Sequence, residues 1–287
     1  MRSALLLILI SISISSQTLS AQRQLLTQGT AFPMYQQDMH LAIFHPSVYA
    51  LTSSTELSAM LPGLPLYPHL FWKNNWSKTK RFAIATELEG WYPVPLFRII
   101  QKLPRFESYP PASAIPQSAG YSAKGLFSYG WGESTCSSFT SEEFNRTNTF
   151  KGNTNILTLT IGVQSGHSFD SIPFPMIEEG VVFQRTYFLN DGISWMAGIG
   201  FDGRMAKMTD ISADLNYISL PQSCWAIEQK TGVHLYRKKF FHLFLGYHVS
   251  YAQTPNRSVF FATPIVDLQW TFHRDRIQYG LFGKKMF

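Results

Sequence analysis

The stretch Lys239–Phe272 reads KFFHLFLGYHVSYAQTPNRSVFFATPIVDLQWTF, and it decides the fold. It divides into two runs joined by residues 253–257. In each run, side chains alternate between an apolar face without charges and a mixed face, which is the period of two of a β-strand. Each run has about twelve residues or more, enough to cross a membrane at a tilt. The stretch therefore predicts two neighbouring strands of a transmembrane β-barrel.

The two faces of these strands predict which side chains meet lipid. The apolar faces carry Phe241, Leu243, Leu245, Tyr247, Val249 and Tyr251 in the first run, and Phe260, Ala262, Pro264, Val266, Leu268, Trp270 and Phe272 in the second. The mixed faces include His242, His248, Ser250, Asp267 and Gln269. We expect the first set to contact lipid and the second set to face the lumen.

The first 21 residues have the pattern of a secretory signal peptide. Arg2 precedes an uncharged apolar run from Ala4 to Ile14, and small residues around Ala21 offer a cleavage site. Residues 22–50 lack periodicity and are interpreted as an N-terminal extension that plugs or caps one barrel end. The barrel itself is predicted to span 51–287.

Strand patterns recur along the rest of the chain and predict an all-β, antiparallel barrel of about ten to twelve strands. Asn190-Asp191-Gly192 between two β-rich runs predicts a tight hairpin. A helical stripe begins at Val94 and predicts a short helix over 94–103, on the membrane surface or over a barrel end. The other strands are predicted at 53–61, 64–74, 80–92, 121–131, 155–164, 181–189, 193–201, 210–219, 224–236 and 276–287.

The composition agrees with a membrane barrel. Aromatic residues and charged residues each make up 15% of the chain, and the charged share is low for a globular protein. The formal net charge of +6 is scattered in small clusters. These clusters suggest outer-membrane lipids or lipopolysaccharide phosphates as partners, and a small solute as a further one. No nucleic-acid-binding motif is present.

With its strand pattern, its signal sequence and a terminal Phe287, the chain resembles Gram-negative outer-membrane β-barrel proteins over about residues 50–287. The resemblance implies location in the cell outer membrane and an aromatic residue on the last strand. Tyr279, Leu281 and Phe287 share one face of a strand that would end at Phe287, but Lys285 interrupts that apolar face. Val266, Leu268, Trp270 and Phe272 are the alternative last-strand signature.

His248 and Ser250 are the sharpest candidates for catalysis. Two residues apart on a strand, they share a face, and some outer-membrane lipid hydrolases use such a pair as base and nucleophile. Asp267 on the next strand is the candidate for orienting the histidine. The predicted facing opposes this reading, because the pair should point into the lumen whereas acyl chains lie outside. The expected catalytic set is therefore none, with these three residues as the alternative.

Other chemistry is expected to be absent. His234, His242 and His248 could all face inward, but a metal site needs three to converge, and none is predicted. Glycine-rich phosphate loops and Cys-x-x-Cys pairs are missing, so no cofactor is expected. Cys136 and Cys224 can form one disulfide in an exported protein.

Three functions stay open at this point. The leading hypothesis is a non-enzymatic outer-membrane barrel for solute passage, surface attachment or envelope structure. The second is a lipid hydrolase using His248 and Ser250. The third is a secreted β-sandwich binding module.

Overall fold

The computed structural model describes residues 29–34, 38–61, 64–65, 67–79, 81–100, 115–134, 152–170, 192–206, 209–219, 224–238, 241–253 and 258–272. Twelve strands form one closed antiparallel barrel, in which neighbours in sequence are neighbours in the sheet and β12 pairs with β1. The strands are β1 Met39–Ala42, β2 Ser47–Ala50, β3 Thr55–Ala59, β4 His69–Lys78, β5 Phe82–Trp91, β6 Ser118–Ser134, β7 Gly152–Ser168, β8 Gly192–Ala206, β9 Thr209–Ser219, β10 Trp225–Lys238, β11 Phe241–Gln253 and β12 Ser258–Phe272.

The alternation predicted from Lys239–Phe272 is present in β11 and β12. Leu245 is exposed on the outside of the barrel and lies opposite Val266. His242 and Asp267, on the other face, are buried inside. The closed sheet excludes the β-sandwich alternative, because a sandwich packs two separate sheets face to face.

Aromatic side chains are exposed on the outer surface near both ends of the barrel. One group lies near the end where Met39 pairs with Phe272, which we call the terminal end. The other group lies near the opposite end, which we call the distal end. The exposed side chains are Trp76, Phe82, Tyr129, Trp131 and Phe272 at the terminal end, Tyr121, Trp195, Tyr217 and Phe260 at the distal end, and Leu159, Ile161, Ile199, Leu215, Leu245 and Val266 between them. An apolar band between two aromatic girdles is the outer surface of a membrane barrel.

The barrel begins earlier than the sequence predicted. β1 and β2 lie within residues 22–50, which we had interpreted as an extension, so the barrel starts at residue 39. Two strands of four residues are too short to show a periodicity of their own. Their pairing with β12 and β3 closes the sheet.

From Trp195 to Gly203, β8 pairs with β7 on one side and with β9 on the other. The segment 181–189, predicted as the other arm of a tight hairpin with this strand, lies outside the described residues, as do the signal peptide, Cys136 and the predicted strand 276–287. The predicted helix is present as α1, Val94–Ile100. No helix among the described residues is long and apolar enough to span a membrane.

Candidate functional site in the lumen

Asp267 is the centre of a hydrogen-bond network where β12 meets β1. Its carboxylate accepts the backbone N–H groups of Ile43, Phe44 and His45 at 3.0, 2.8 and 3.1 Å. It also accepts Nδ1–H of His45 at 2.7 Å and Nε2–H of Gln269 at 3.0 Å. A buried carboxylate is stable when all of its acceptor sites are used. Asp267 therefore fastens the β1–β2 turn to the inner wall.

Four histidines gather beside this turn. Nε2 of His40 lies 3.3 Å from Nε2 of His242, and their rings are nearly parallel. The ring of His234 lies 6.1 Å from that of His242, measured between centroids. The rings of His234 and His45 each contact the ring of Phe244, at 4.7 Å. All four histidines are buried.

Ion pairs line the opposite wall. Nζ of Lys124 on β6 lies 3.1 Å from Oε1 of Glu87 and 2.6 Å from Oε2 of Glu89. Oε1 of Glu89 lies 2.8 Å from Nε2 of His69. The two carboxylates are two residues apart on β5 and share its inner face. Lys124 lies on the neighbouring strand, directly opposite Glu87.

Acidic side chains dominate the inner faces of β8, β9 and β10. The described side chains on these inner faces include four carboxylates and two basic groups. Their formal charges sum to an excess of two negative charges. Nε of Arg204 lies 3.4 Å from Oδ1 of Asp210. These groups are Asp202, Asp210, Asp214 and Glu228, with Arg204 and Lys230. The formal charge of this wall is therefore negative.

A segment before β1 lies inside the barrel. Nζ of Lys73 donates to the carbonyl of Thr30 at 3.1 Å, and Nδ2 of Asn75 donates to that of Ala31 at 2.8 Å. Oγ of Ser128 accepts the N–H of Ala31 at 2.8 Å. Phe32 packs with the same wall. Residues 29–34, which we call the lumen segment, thus occupy part of the lumen toward the terminal end. The N-terminal extension was predicted to plug or cap one barrel end, and residues 29–34 are the part of it that lies inside the lumen.

An apolar cluster lies inside the distal end. Trp91 and Val94, at the end of β5 and the start of α1, pack in one buried cluster with Met196 and Ile218 from β8 and β9. Cys224 belongs to the same cluster, and burial raises the pKa of its thiol. The helix thus begins over the barrel end, one of its two predicted positions. Whether Cys224 pairs with Cys136 stays a prediction.

The structure separates the three residues of the catalytic alternative. His248 lies on the inner face opposite Lys230 and Thr263, and Ser250 lies opposite Glu228 and Phe261. Asp267 lies opposite Phe244, four residues along β12 from Thr263, and its carboxylate binds the β1–β2 turn. Both members of the pair lie on the inner face of the barrel. The geometry therefore gives a lipid hydrolase no support.

His40 and His45 were missed as site residues because they lie in a segment without periodicity. The signal available in the sequence was two histidines five residues apart with Pro46 after the second. Only the closure of β1 onto β12 brings them to His242 and Asp267.

No protein-family model matches the chain, and no curated protein sequence matches it. Its structure is similar to the outer-membrane expressed OmpT of Vibrio cholerae, with 8% identity and a TM-score of 0.38, over 79% of this chain and 64% of that one. The chain thus covers less than two thirds of that structure's length. It is also similar to an outer membrane channel from Pseudomonas putida F1, with 8% identity and a TM-score of 0.36, over 85% of this chain and 97% of that one. We draw no functional conclusion from either likeness.

Proposed function

We propose that the protein resides in the outer membrane and passes small polar solutes, preferentially cations, through its lumen. The charged inner wall of β8, β9 and β10 carries this proposal. Ionisable side chains inside a membrane protein are costly to bury, and they mark pathways for ions and substrates. A barrel that served only as an anchor could fill its interior with apolar side chains at lower cost.

The outer surface supports the location. Exposed apolar side chains between two aromatic girdles require a bilayer around them, since water would leave this band unfavourably solvated. The predicted signal peptide at residues 1–21 would send the chain to the envelope. Outer-membrane lipids or lipopolysaccharide would then be its immediate surroundings.

The contacts inside the barrel suggest that passage is gated. The lumen segment occupies part of the lumen toward the terminal end, and the cluster of Trp91, Val94, Met196 and Ile218 lies inside the distal end. Both obstructions include residues outside the barrel sheet, since the lumen segment precedes β1 and Val94 begins α1. We propose that their displacement opens the path.

Location is tested by fractionation and carbonate extraction. The mature chain should stay with the outer membrane and should migrate differently on a denaturing gel before and after boiling. Recovery in a detergent-free soluble fraction would contradict membrane residence.

Passage is tested separately, by conductance of the purified barrel in a planar bilayer under a KCl gradient. Replacing Lys73 by Met removes a donor to the lumen segment and should raise the open fraction. Lys124→Met, on the same wall but bonded to Glu87 and Glu89, is the matched control and should raise it less. In the opened variant, adding Asp210→Asn and Glu228→Gln should move the reversal potential toward lower cation preference. A closed barrel even after deletion of residues 22–34 would contradict passage while leaving the membrane location intact.

A further inference from the structure

The wall around the lumen segment binds this segment by its backbone. Nζ of Lys73 donates to the carbonyl of Thr30 at 3.1 Å, and Nδ2 of Asn75 donates to the carbonyl of Ala31 at 2.8 Å. Oγ of Ser128 accepts the N–H of Ala31 at 2.8 Å. Every residue of a peptide carries a carbonyl, and every residue except proline carries an N–H. These three hydrogen bonds are therefore available to many other sequences.

An ion pair between β3 and β4 extends this backbone recognition. Oε2 of Glu56 lies 2.6 Å from Nζ of Lys73, and both side chains are buried. Oε1 of Glu56 also accepts the N–H of Met34, while Lys73 donates to the carbonyl of Thr30. The pair thus presents one charged acceptor and one charged donor to two backbone groups of the same segment. Hydrogen bonds to charged groups are roughly twice as strong as those between neutral groups.

The ring of Phe32 adds a side-chain anchor to these backbone bonds. Phe32 is buried in one cluster with Ala83 and Ala85 of β5, Leu126 of β6 and Ile156 of β7. The two alanines take up little of the space beside β5, which leaves room for an aromatic ring. In peptide recognition, main-chain hydrogen bonds give affinity and pockets for side chains give specificity. The wall combines both features.

The lumen segment can leave this wall without opening the barrel. Residues 29–34 belong to no strand, and the sheet closes through the pairing of β1 with β12. The hydrogen bonds described above join the segment to side chains of the wall, so its departure breaks no bond of the backbone ladder. A separate peptide with the same features could then occupy the same wall.

We propose that this wall is a binding site for a free oligopeptide that carries one aromatic side chain, and that the lumen segment is its internal competitor. Glu56, Lys73, Asn75 and Ser128 bind the peptide backbone, and the apolar patch around Ala85 takes the aromatic ring.

The peptide site rests on displacement of the lumen segment, which the proposed function also requires, but it does not rest on conductance. A barrel that binds peptide without conducting supports the site and contradicts passage. A barrel that conducts but binds no peptide supports passage and contradicts the site.

The probe is a fluorescein-labelled synthetic peptide with the sequence of residues 27–36, TQGTAFPMYQ. Its binding to the refolded, full mature chain in detergent is measured by fluorescence anisotropy. A tethered segment competes at a high effective concentration, so the main measurement uses the Phe32→Asp chain, in which a carboxylate is costly to bury in the apolar patch. We expect one peptide per chain, and at least tenfold weaker binding to the wild type. If Phe32→Asp fails to show the folded band on an unboiled gel, Phe32→Ala replaces it.

Two further changes test the contacts of the aromatic ring. The same peptide carrying Phe32→Asp should bind at least tenfold more weakly to the Phe32→Asp chain. Adding Ala85→Leu to that chain fills the space of the ring and should weaken binding of the unchanged peptide at least tenfold. Ser250→Leu is the matched control, since it adds a similar volume to the inner face of β11, and it should leave binding unchanged.

Three results would overturn the proposal. The first is absence of saturable binding to the folded Phe32→Asp chain, which would make the lumen segment a fixed part of the barrel interior. The second is equal binding of the two peptides. The third is an equal loss in Ala85→Leu and Ser250→Leu, which would place the peptide elsewhere in the lumen. Binding by the wild type as tight as by Phe32→Asp would overturn the assignment of the lumen segment as the competitor.

Discussion

The carboxylate of Asp267 on β12 binds His45 in the β1–β2 turn, with 2.7 Å between Oδ2 and Nδ1. The two residues are separated by 222 positions in sequence. Their contact lies at the seam where the first strand of the barrel pairs with the last. The seam is short, because β1 has only four residues, so side-chain bonds must supplement the backbone ladder there.

Replacing Asp267 by Ala should therefore destabilise the barrel. The substitution leaves three backbone N–H groups and a buried imidazole N–H without their acceptor. A buried donor that loses its partner costs about 1–3 kcal/mol. Urea unfolding of the refolded barrel measures the loss, and hydrogen exchange should show faster opening of residues 39–50.

Asp170→Ala is the control, since that carboxylate accepts the N–H of Gln117 at an exposed site and should cost far less. Equal losses would mean that Asp267 does not hold the seam.

Arginine at position 245 should impair assembly more than arginine at position 248. Leu245 lies on the apolar outer face, and His248 lies on the inner face of the same strand. Arg at the midplane of a barrel's lipid face costs roughly 2–4 kcal/mol, whereas a lumen position tolerates it. The readout is the amount of heat-modifiable product. Because both variants add the same side chain to one strand, equal tolerance would contradict the assignment of the lipid-facing side.

Alanine at Gly232 should be poorly tolerated. A Cβ there would lie 2.1 Å from Cζ of Phe244, whose ring covers the glycine. The ring would have to move, and it also contacts His45 and His234. We expect a loss of about 1–3 kcal/mol, as in other overpacked interiors.

Gly90→Ala makes the same change on the outer face, where a Cβ meets nothing within 4 Å. It should leave stability unchanged or raise it slightly, because alanine restricts the unfolded chain. Urea unfolding compares the two variants. A neutral Gly232→Ala would show that Phe244 is not packed on the glycine.

Lys124→Met should destabilise the wall formed by β5 and β6. Its ammonium group is shared between Glu87 and Glu89, and all three side chains are largely buried. Without it, two neighbouring carboxylates lose their cation, at a cost of about 3–5 kcal/mol. Adding Glu87→Gln and Glu89→Gln removes the uncompensated charges and should restore part of the loss in urea unfolding. Failure of the triple variant to recover would assign the loss to packing of the lysine stem rather than to charge.

The alternation in β11 and β12 could be predicted because it is a local property. A strand exposed to lipid on one side and to a polar lumen on the other must separate the two kinds of side chain every second residue. Leu245 and His248 were therefore assigned to their faces correctly. The short helix from Val94 was predicted for the same reason, and the structure describes it over Val94–Ile100.

The sequence by itself thus determined the class of fold, the apolar outer face and the polar character of the lumen. Only the tertiary structure decided that residues 39–50 form two short strands and a turn. It also decided that Asp267 binds His45 rather than His248, and that His40 contacts His242. These contacts join residues more than 200 positions apart. They depend on the closure of the barrel and on its register, which backbone hydrogen bonds between distant strands fix and no local pattern records.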